Sequence, residues 1–388
     1  MLFIPHEIEF IINIIKKNGF EAYLVGGCVR DMLTDVPPHD YDITTSAPPE
    51  VIITIFKKTV PTGIKHGTVT VINGRFIAEV TTYRADGEYA DHRRPGSVIF
   101  VNSLKEVLAR RDFTVNAIAY NKEEGIKDFF GGREDMKNKI LRAVGYPEKR
   151  FCEDALRILR LFRFASVLGF TPEKETLKAA LKSAHLLERI SAERISSELR
   201  RTLSGKNPTA LKPLTDIGAL EFIGIKNPDY SKIVSLQSEE LALFGFLYSG
   251  AEDLISALEF LKPSNKEKKL YSNILTLLSI PFPRSKAEIK EMLFKTDRDS
   301  VEKYLYFNKH YFGTQTETAN NLLREILEKG EPYRVSDLKI GGKNLINMGV
   351  DGEKIGETLE YLRKIAVSNP ELNKQSILIQ KAEEFNRN

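Results

Sequence analysis

Two aspartates stand two residues apart in His39-Asp40-Tyr41-Asp42-Ile43. On an extended strand, residues i and i+2 point to one face, so Asp40 and Asp42 form a side-by-side carboxylate pair. Like charges that close repel, and a divalent cation resolves the conflict. Hard oxygen ligands suit Mg2+, which keeps water and phosphate oxygens in its shell. Two surface acids at a strand end are the plainer alternative. Glu79, which alternates with Ala78 and Val80, is the candidate for a third carboxylate; an edge charge is the competing reading.

Three further blocks suit a polyanionic substrate. In Leu24-Val25-Gly26-Gly27-Cys28-Val29-Arg30-Asp31, a strand runs through two glycines into a helix. Glycine lets the backbone approach a ligand, and a helix start offers free N–H groups to phosphate. Arg30 adds a bidentate clamp. In Arg110-Arg111-Asp112-Phe113-Thr114-Val115-Asn116-Ala117, two arginines precede an apolar segment, and Asp112 could orient Arg111 or accept a ribose hydroxyl. From Phe151 to Phe164, Asp154, Arg157, Arg160 and Arg163 recur every third residue among apolar neighbours. Arginines on so buried a helix need acidic partners or a bound polyanion. An internal ladder with Glu153, Glu188, Glu193 and Glu198 would satisfy them equally.

These residues need a frame. Residues 5–18 read as an amphipathic helix closed by Gly19, 21–25 as a buried strand, and 28–34 as a helix that Pro37-Pro38 stops. Tyr41 to Thr45 is a strand, and Pro48-Pro49-Glu50 opens a helix through Phe56. Thr68–Ile72 and Phe76–Thr82 flank Asn73-Gly74, a strong hairpin signal. Phe113 to Tyr120 is ambiguous between helix and strand. After Pro147 the apolar period becomes 3.6, with helices expected at 152–168, 174–186, 191–203, 238–248, 252–261, 286–293 and 318–329. The fold class is therefore α+β: a mixed head, then an all-helical remainder.

Composition agrees. A chain of 388 residues, 42% hydrophobic and 28% charged, is globular and long enough for several domains. No apolar run nears the ~20 residues of a membrane span, and the N-terminus lacks a secretory signal pattern. Cys28 and Cys152 form no CxxC pair, which argues against a disulfide scaffold and a cysteine zinc site. A cytoplasmic setting is the simplest expectation. The net charge of +4 is uneven. Residues 51–200 hold 27 Lys and Arg against 19 Asp and Glu, and the rest of the chain is net acidic. The basic stretch suits a polyanion; a solvated surface is the alternative.

These four blocks, in this order and spacing, resemble the class II nucleotidyltransferase family of CCA-adding enzymes and bacterial poly(A) polymerases. The resemblance is strong over 21–205, and Ile340-Gly341-Gly342 with Leu345 to Gly349 looks more loosely like the family's tail. It implies a polymerase-β-like head at 1–146, a helical neck at 147–206, a body at 207–300 and a tail at 301–388. It implies Asp40 and Asp42 as catalytic metal ligands in two-metal chemistry with Mg2+. Gly27, Arg30 and Arg111 would hold the triphosphate of CTP or ATP. Asp154 and Arg157 would read the base, Arg160 and Arg163 would complete the pocket, and Ser191-Ala192-Glu193-Arg194 would brace the neck. The segment Arg84 to Pro95 looks like the flexible loop of A-incorporating members. The implied activity is addition of CMP, CMP and AMP to a tRNA 3′ end, with pyrophosphate released and neither DNA nor membrane as partner. An A-adding enzyme or a poly(A) polymerase is the alternative the motifs leave open.

Hydrogen-bond chemistry supports base reading. Asp154 only accepts and Arg157 only donates. Cytosine and adenine both present an amine beside a ring-nitrogen acceptor, whereas uracil and guanine present a carbonyl beside an N–H. A mismatch strands buried polar groups at ~1–3 kcal/mol each.

Overall fold

The computed structural model describes residues 2–86, 98–101 and 103–387. The chain forms two compact units, residues 1–230 with 246–262 and residues 231–245 with 263–388.

The first unit begins with α1 (His6–Lys17), β1 (Ala22–Val25), α2 (Gly27–Leu33), β2 (Tyr41–Thr45) and α3 (Pro49–Ile55). It continues through β3 (Thr59–Gly63), β4 (Thr68–Asn73), β5 (Phe76–Thr82), β6 (Arg84–Asp86), β7 (Val98–Phe100) and α4 (Leu104–Ala109). Then come β8 (Ile118–Asn121), β9 (Gly125–Asp128), α5 (Gly132–Lys137) and β10 (Ile140–Leu141). Seven strands make one sheet in the order β3-β4-β5-β2-β1-β8-β9, with β2 parallel to β5. Alternation decides its faces. Tyr41, Ile43, Val69, Val71, Ala78 and Val80 are buried, and α1 covers β1, β2, β4 and β5 with Ile8, Ile11, Ile12 and Ile15. Asp42, Thr70 and Glu79 alternate onto the opposite face.

The ambiguous Phe113–Tyr120 segment resolves into a 3-10 turn, Thr114–Asn116, followed by β8. Gly132, at the start of α5, lies against this turn, and a Cβ there would collide with the Thr114 carbonyl oxygen and the Ile118 side chain. Backbone cannot give way as a flexible side chain can. Gly132→Ala is expected to cost about 2 kcal/mol and to lower the thermal midpoint by ~5 °C, read by differential scanning fluorimetry.

Helices follow: α6 (Pro147–Glu153), α7 (Leu156–Leu168), the two-residue β11 (Thr171–Pro172) paired with β10, α8 (Lys174–Lys182), α9 (Ala192–Leu203) and α10 (Lys212–Asp216). One expectation needs correction here. The helix expected over 152–168 is two helices broken at Asp154, which is extended at φ −143° and ψ 102°. Its carboxylate accepts the Leu156 N–H at 3.1 Å, a local bond that competes with helix continuation. Asp154 therefore stands before the helix that carries Arg157, Arg160 and Arg163, not on it.

Beyond these lie α11 (Tyr230–Ile233), α12 (Glu239–Gly250), α13 (Leu254–Phe260), α14 (Asn265–Leu278), α15 (Lys286–Lys295), α16 (Arg298–Phe312), α17 (Glu317–Glu328), α18 (Gly342–Asn347), α19 (Ile355–Ser368) and α20 (Gln375–Arg387). In the second unit, α14 to α17 share a core around Ile289, Leu293, Leu305 and Leu323, and α18 to α20 one around Leu345, Leu362 and Leu378. Buried Lys290 meets Glu331 at 2.8 Å and the Val367 carbonyl at 3.0 Å, which ties α15 to α19. Among the described residues, no helix is long and apolar enough to cross a membrane.

Candidate active site

The turn after β1 sets the geometry. Gly26 sits at φ +80°, where L side chains rarely go, and a Cβ on it would collide with Arg111 Nη1. The Arg111 guanidinium is thus pressed against the glycine turn. Arg30, on α2, donates from Nη1 to Asn116 Oδ1 at 2.8 Å and from Nε to Asp31 Oδ1 at 2.9 Å.

Asp42 lies on β2 directly beside Glu79 of β5. Asp40 precedes the strand, so the side-by-side strand pair expected from sequence is only half realised. Its side chain is 92% exposed, with His39 Nδ1 at 3.8 Å. Burial raises the Asp42 carboxyl above its ordinary value; the Arg111 charge opposes this and Asp40 adds to it. Burial, then Asp42, then Asp40 raise Glu79 likewise. Burial holds Arg111 below its ordinary value, with Asp42 opposing. Among the described residues, no three His, Cys, Asp or Glu groups stand close enough to hold a metal by themselves. Hard oxygens that disfavour one another's charge fit a divalent cation that takes further ligands from water and phosphate.

The α7 arginines converge on the same region. Arg160 Nε donates to Asp112 Oδ2 at 2.7 Å, while Asp112 Oδ1 accepts from Asn116 Nδ2 at 3.0 Å and Phe113 N at 2.8 Å. Burial pushes Asp112 up, but the Arg160 charge and these three bonds outweigh it and hold the carboxyl well below its ordinary value. Arg163 Nε lies 2.6 Å from Glu198 Oε2. Arg30, Arg160 and Arg163 all lie over the Phe164 ring, at 5.3, 5.3 and 4.2 Å. Asp112 thus orients Arg160, not Arg111. Asn116 bridges Arg30 to Asp112, and Phe164 is the hub under three guanidiniums. Residue type and spacing alone mark neither Asn116 nor Phe164 for these roles.

Asp154 and Arg157 sit in a separate network. Asp154 Oδ2 accepts from Arg194 Nη2 at 2.8 Å. Arg157 Nη1 donates to Glu153 Oε2 at 2.9 Å and to the Arg150 carbonyl at 3.1 Å, and Nη2 to the Arg110 carbonyl at 2.9 Å. The ion-pair ladder is therefore present for Glu153 and Glu198, whereas Glu193 meets Lys262 at 2.8 Å. Residues 87–97, which include most of the Arg84–Pro95 segment, lie outside the described residues.

Comparison with known proteins places the head among poly(A) polymerase-type nucleotidyltransferases. Residues 22–142 match the model of the poly A polymerase head domain. Residues 169–226 match that of the probable RNA and SrmB-binding site of polymerase A. A CCA-adding enzyme of Ligilactobacillus salivarius is 38% identical over 98% of both chains, and one of Enterococcus faecalis is 37% identical over 97% of this chain and 96% of its own. The crystal structure of the Bacillus stearothermophilus CCA-adding enzyme in complex with CTP superposes with a TM-score of 0.85 at 34% identity, covering 98% of this chain and 97% of that one. The chain belongs to the family of CCA-adding enzymes, metal-dependent nucleotidyltransferases.

Proposed function

We propose that the chain completes the 3′ end of tRNA, adding CMP, CMP and AMP from CTP and ATP without a nucleic-acid template. The observation that carries this reading is the gathering of Arg30, Arg111, Arg160 and Arg163 around the Gly26–Gly27 turn and Phe164, beside Asp42. Gly27, Arg30 and Arg111 hold the triphosphate. Arg160 and Arg163, kept in place by Asp112 and Glu198, complete the nucleotide pocket. Asp40 and Asp42 would hold Mg2+, with Glu79 next to Asp42 on the neighbouring strand. The chemistry a bound magnesium would supply is activation of the attacking hydroxyl and neutralisation of charge on the leaving pyrophosphate. The primer 3′-oxygen bonds to the α-phosphorus as the bond to pyrophosphate breaks, and the hydroxyl proton leaves to solvent.

Asp154 and Arg157 read the base edge. Arg194 fixes Asp154 as an acceptor, and three of the five Arg157 N–H groups are spent on Glu153 and two carbonyls. Two remain to face a ring nitrogen. We assign residues 1–146 to the catalytic head, 147–206 to base recognition, and 207–300 and 301–388 to a helical body and tail, the last gripping tRNA by shape and backbone. The setting is the cytoplasm.

The test is incubation with tRNA lacking CCA and one nucleotide at a time. CTP alone should add two residues, and ATP should add one only afterwards. If CTP is never incorporated, the CCA reading fails. Gly26→Ala is expected to displace Arg111 and raise KM for CTP about tenfold or more, measured by steady-state kinetics.

A further inference from the structure

The open face of the head's sheet carries two cross-strand rows, the first of them beginning at Asp42. Asp42 pairs with Glu79, Glu79 with Thr70, and Thr70 with Val60. Ile77 pairs with Ile72, whose N–H donates to the Lys58 carbonyl at 3.0 Å. Both rows share a face, because paired residues do and because successive rows lie two residues apart. Hydrophobic groups there are open to water: Ile77 is 60% exposed and Val60 43%. Lys57, Lys58 and Arg75 stand exposed around this end of the sheet, with no ion pair among the described residues.

Direction follows from topology and the reaction. Displacement at phosphorus runs in line, with attacking and leaving oxygens on opposite sides. The groups assigned to the triphosphate lie to one side of β2: Gly27 and Arg30 follow β1, and Arg111 precedes β8. The attacking hydroxyl must then arrive over β5, β4 and β3. We propose that the strip formed by Val60, Ile72, Ile77 and Lys58 seats the terminal nucleotides of the RNA being extended. The isoleucines meet base and ribose, and Lys58 meets a backbone phosphate. This inference rests on the proposed transfer to RNA.

The test compares Ile77→Asp with Ile77→Lys, both at an exposed position, in initial-rate kinetics with tRNA lacking CCA and CTP varied in turn. Ile77→Asp should raise KM for tRNA at least tenfold with KM for CTP within twofold, and Ile77→Lys should leave KM for tRNA unchanged or lower it. An unchanged tRNA KM in Ile77→Asp, an equal rise in both variants, or a parallel rise in KM for CTP overturns the proposal. Failure of the unaltered protein to extend tRNA at all would instead strike the proposed function.

Discussion

Asp42→Asn should reduce nucleotide incorporation by about a thousandfold or more while the fold survives. Removing a metal-ligating carboxylate forfeits several kcal/mol of transition-state stabilisation, and each 1.36 kcal/mol is tenfold in rate. The stability effect runs the other way. The Asp42 carboxyl is raised in the folded chain by burial and by Asp40. A raised carboxyl favours the folded state fully below its unfolded value, and that advantage is lost as pH rises through the folded value. Once ionised, the group is therefore a net burden on the fold, and asparagine relieves it. The thermal midpoint of Asp42→Asn at pH 7 should equal or exceed that of the unaltered chain. A large fall would show that Asp42 holds the fold together rather than a cation.

The second large effect concerns base choice. Asp154→Ala should raise the use of UTP and GTP relative to CTP and ATP by about ten- to a hundredfold, since each stranded polar group at a buried site is worth ~1–3 kcal/mol. Asp154 also caps α7 through Leu156 N, so alanine should cost about 1 kcal/mol in stability as well. Asp154→Asn separates the two effects. Its side-chain oxygen keeps the cap, while its amide offers both a donor and an acceptor and so no longer distinguishes the base edges. Competition between radiolabelled nucleotides gives the ratio directly. An unchanged preference in both variants would remove Asp154 from base reading.

Much of the head was legible in residue order because its signals are local. Asn73-Gly74 places the β4–β5 hairpin, and strict alternation in Phe76–Thr82 separates Ala78 and Val80 from Glu79. The turn at Gly26 was legible from type alone, but its reason was not: the space a Cβ would need is filled by Arg111, some 85 residues away. The break at Asp154 was hidden for a similar reason. The 3.6 period of residues 152–168 is continuous in sequence, and only the carboxylate's bonds to Leu156 N and Arg194 show why the helix restarts. Asn116 and Phe164 looked like ordinary core residues, since their work lies in whom they meet. Asn116 joins two arginine networks, and Phe164 lends one ring to three guanidiniums. The spacing of Asp154 and the arginines was visible; the partner of each arginine was a matter of tertiary packing.

Asp40 and Asp42 are expected to hold a cation beside a triphosphate lodged against the glycine turn. A crystal structure of the chain with CTP and Mg2+ tests it most directly. The triphosphate should lie on Gly27, Arg30 and Arg111, with magnesium bound at both aspartates. Nucleotide bound elsewhere, with both aspartates turned to solvent and no ion between them, would contradict it.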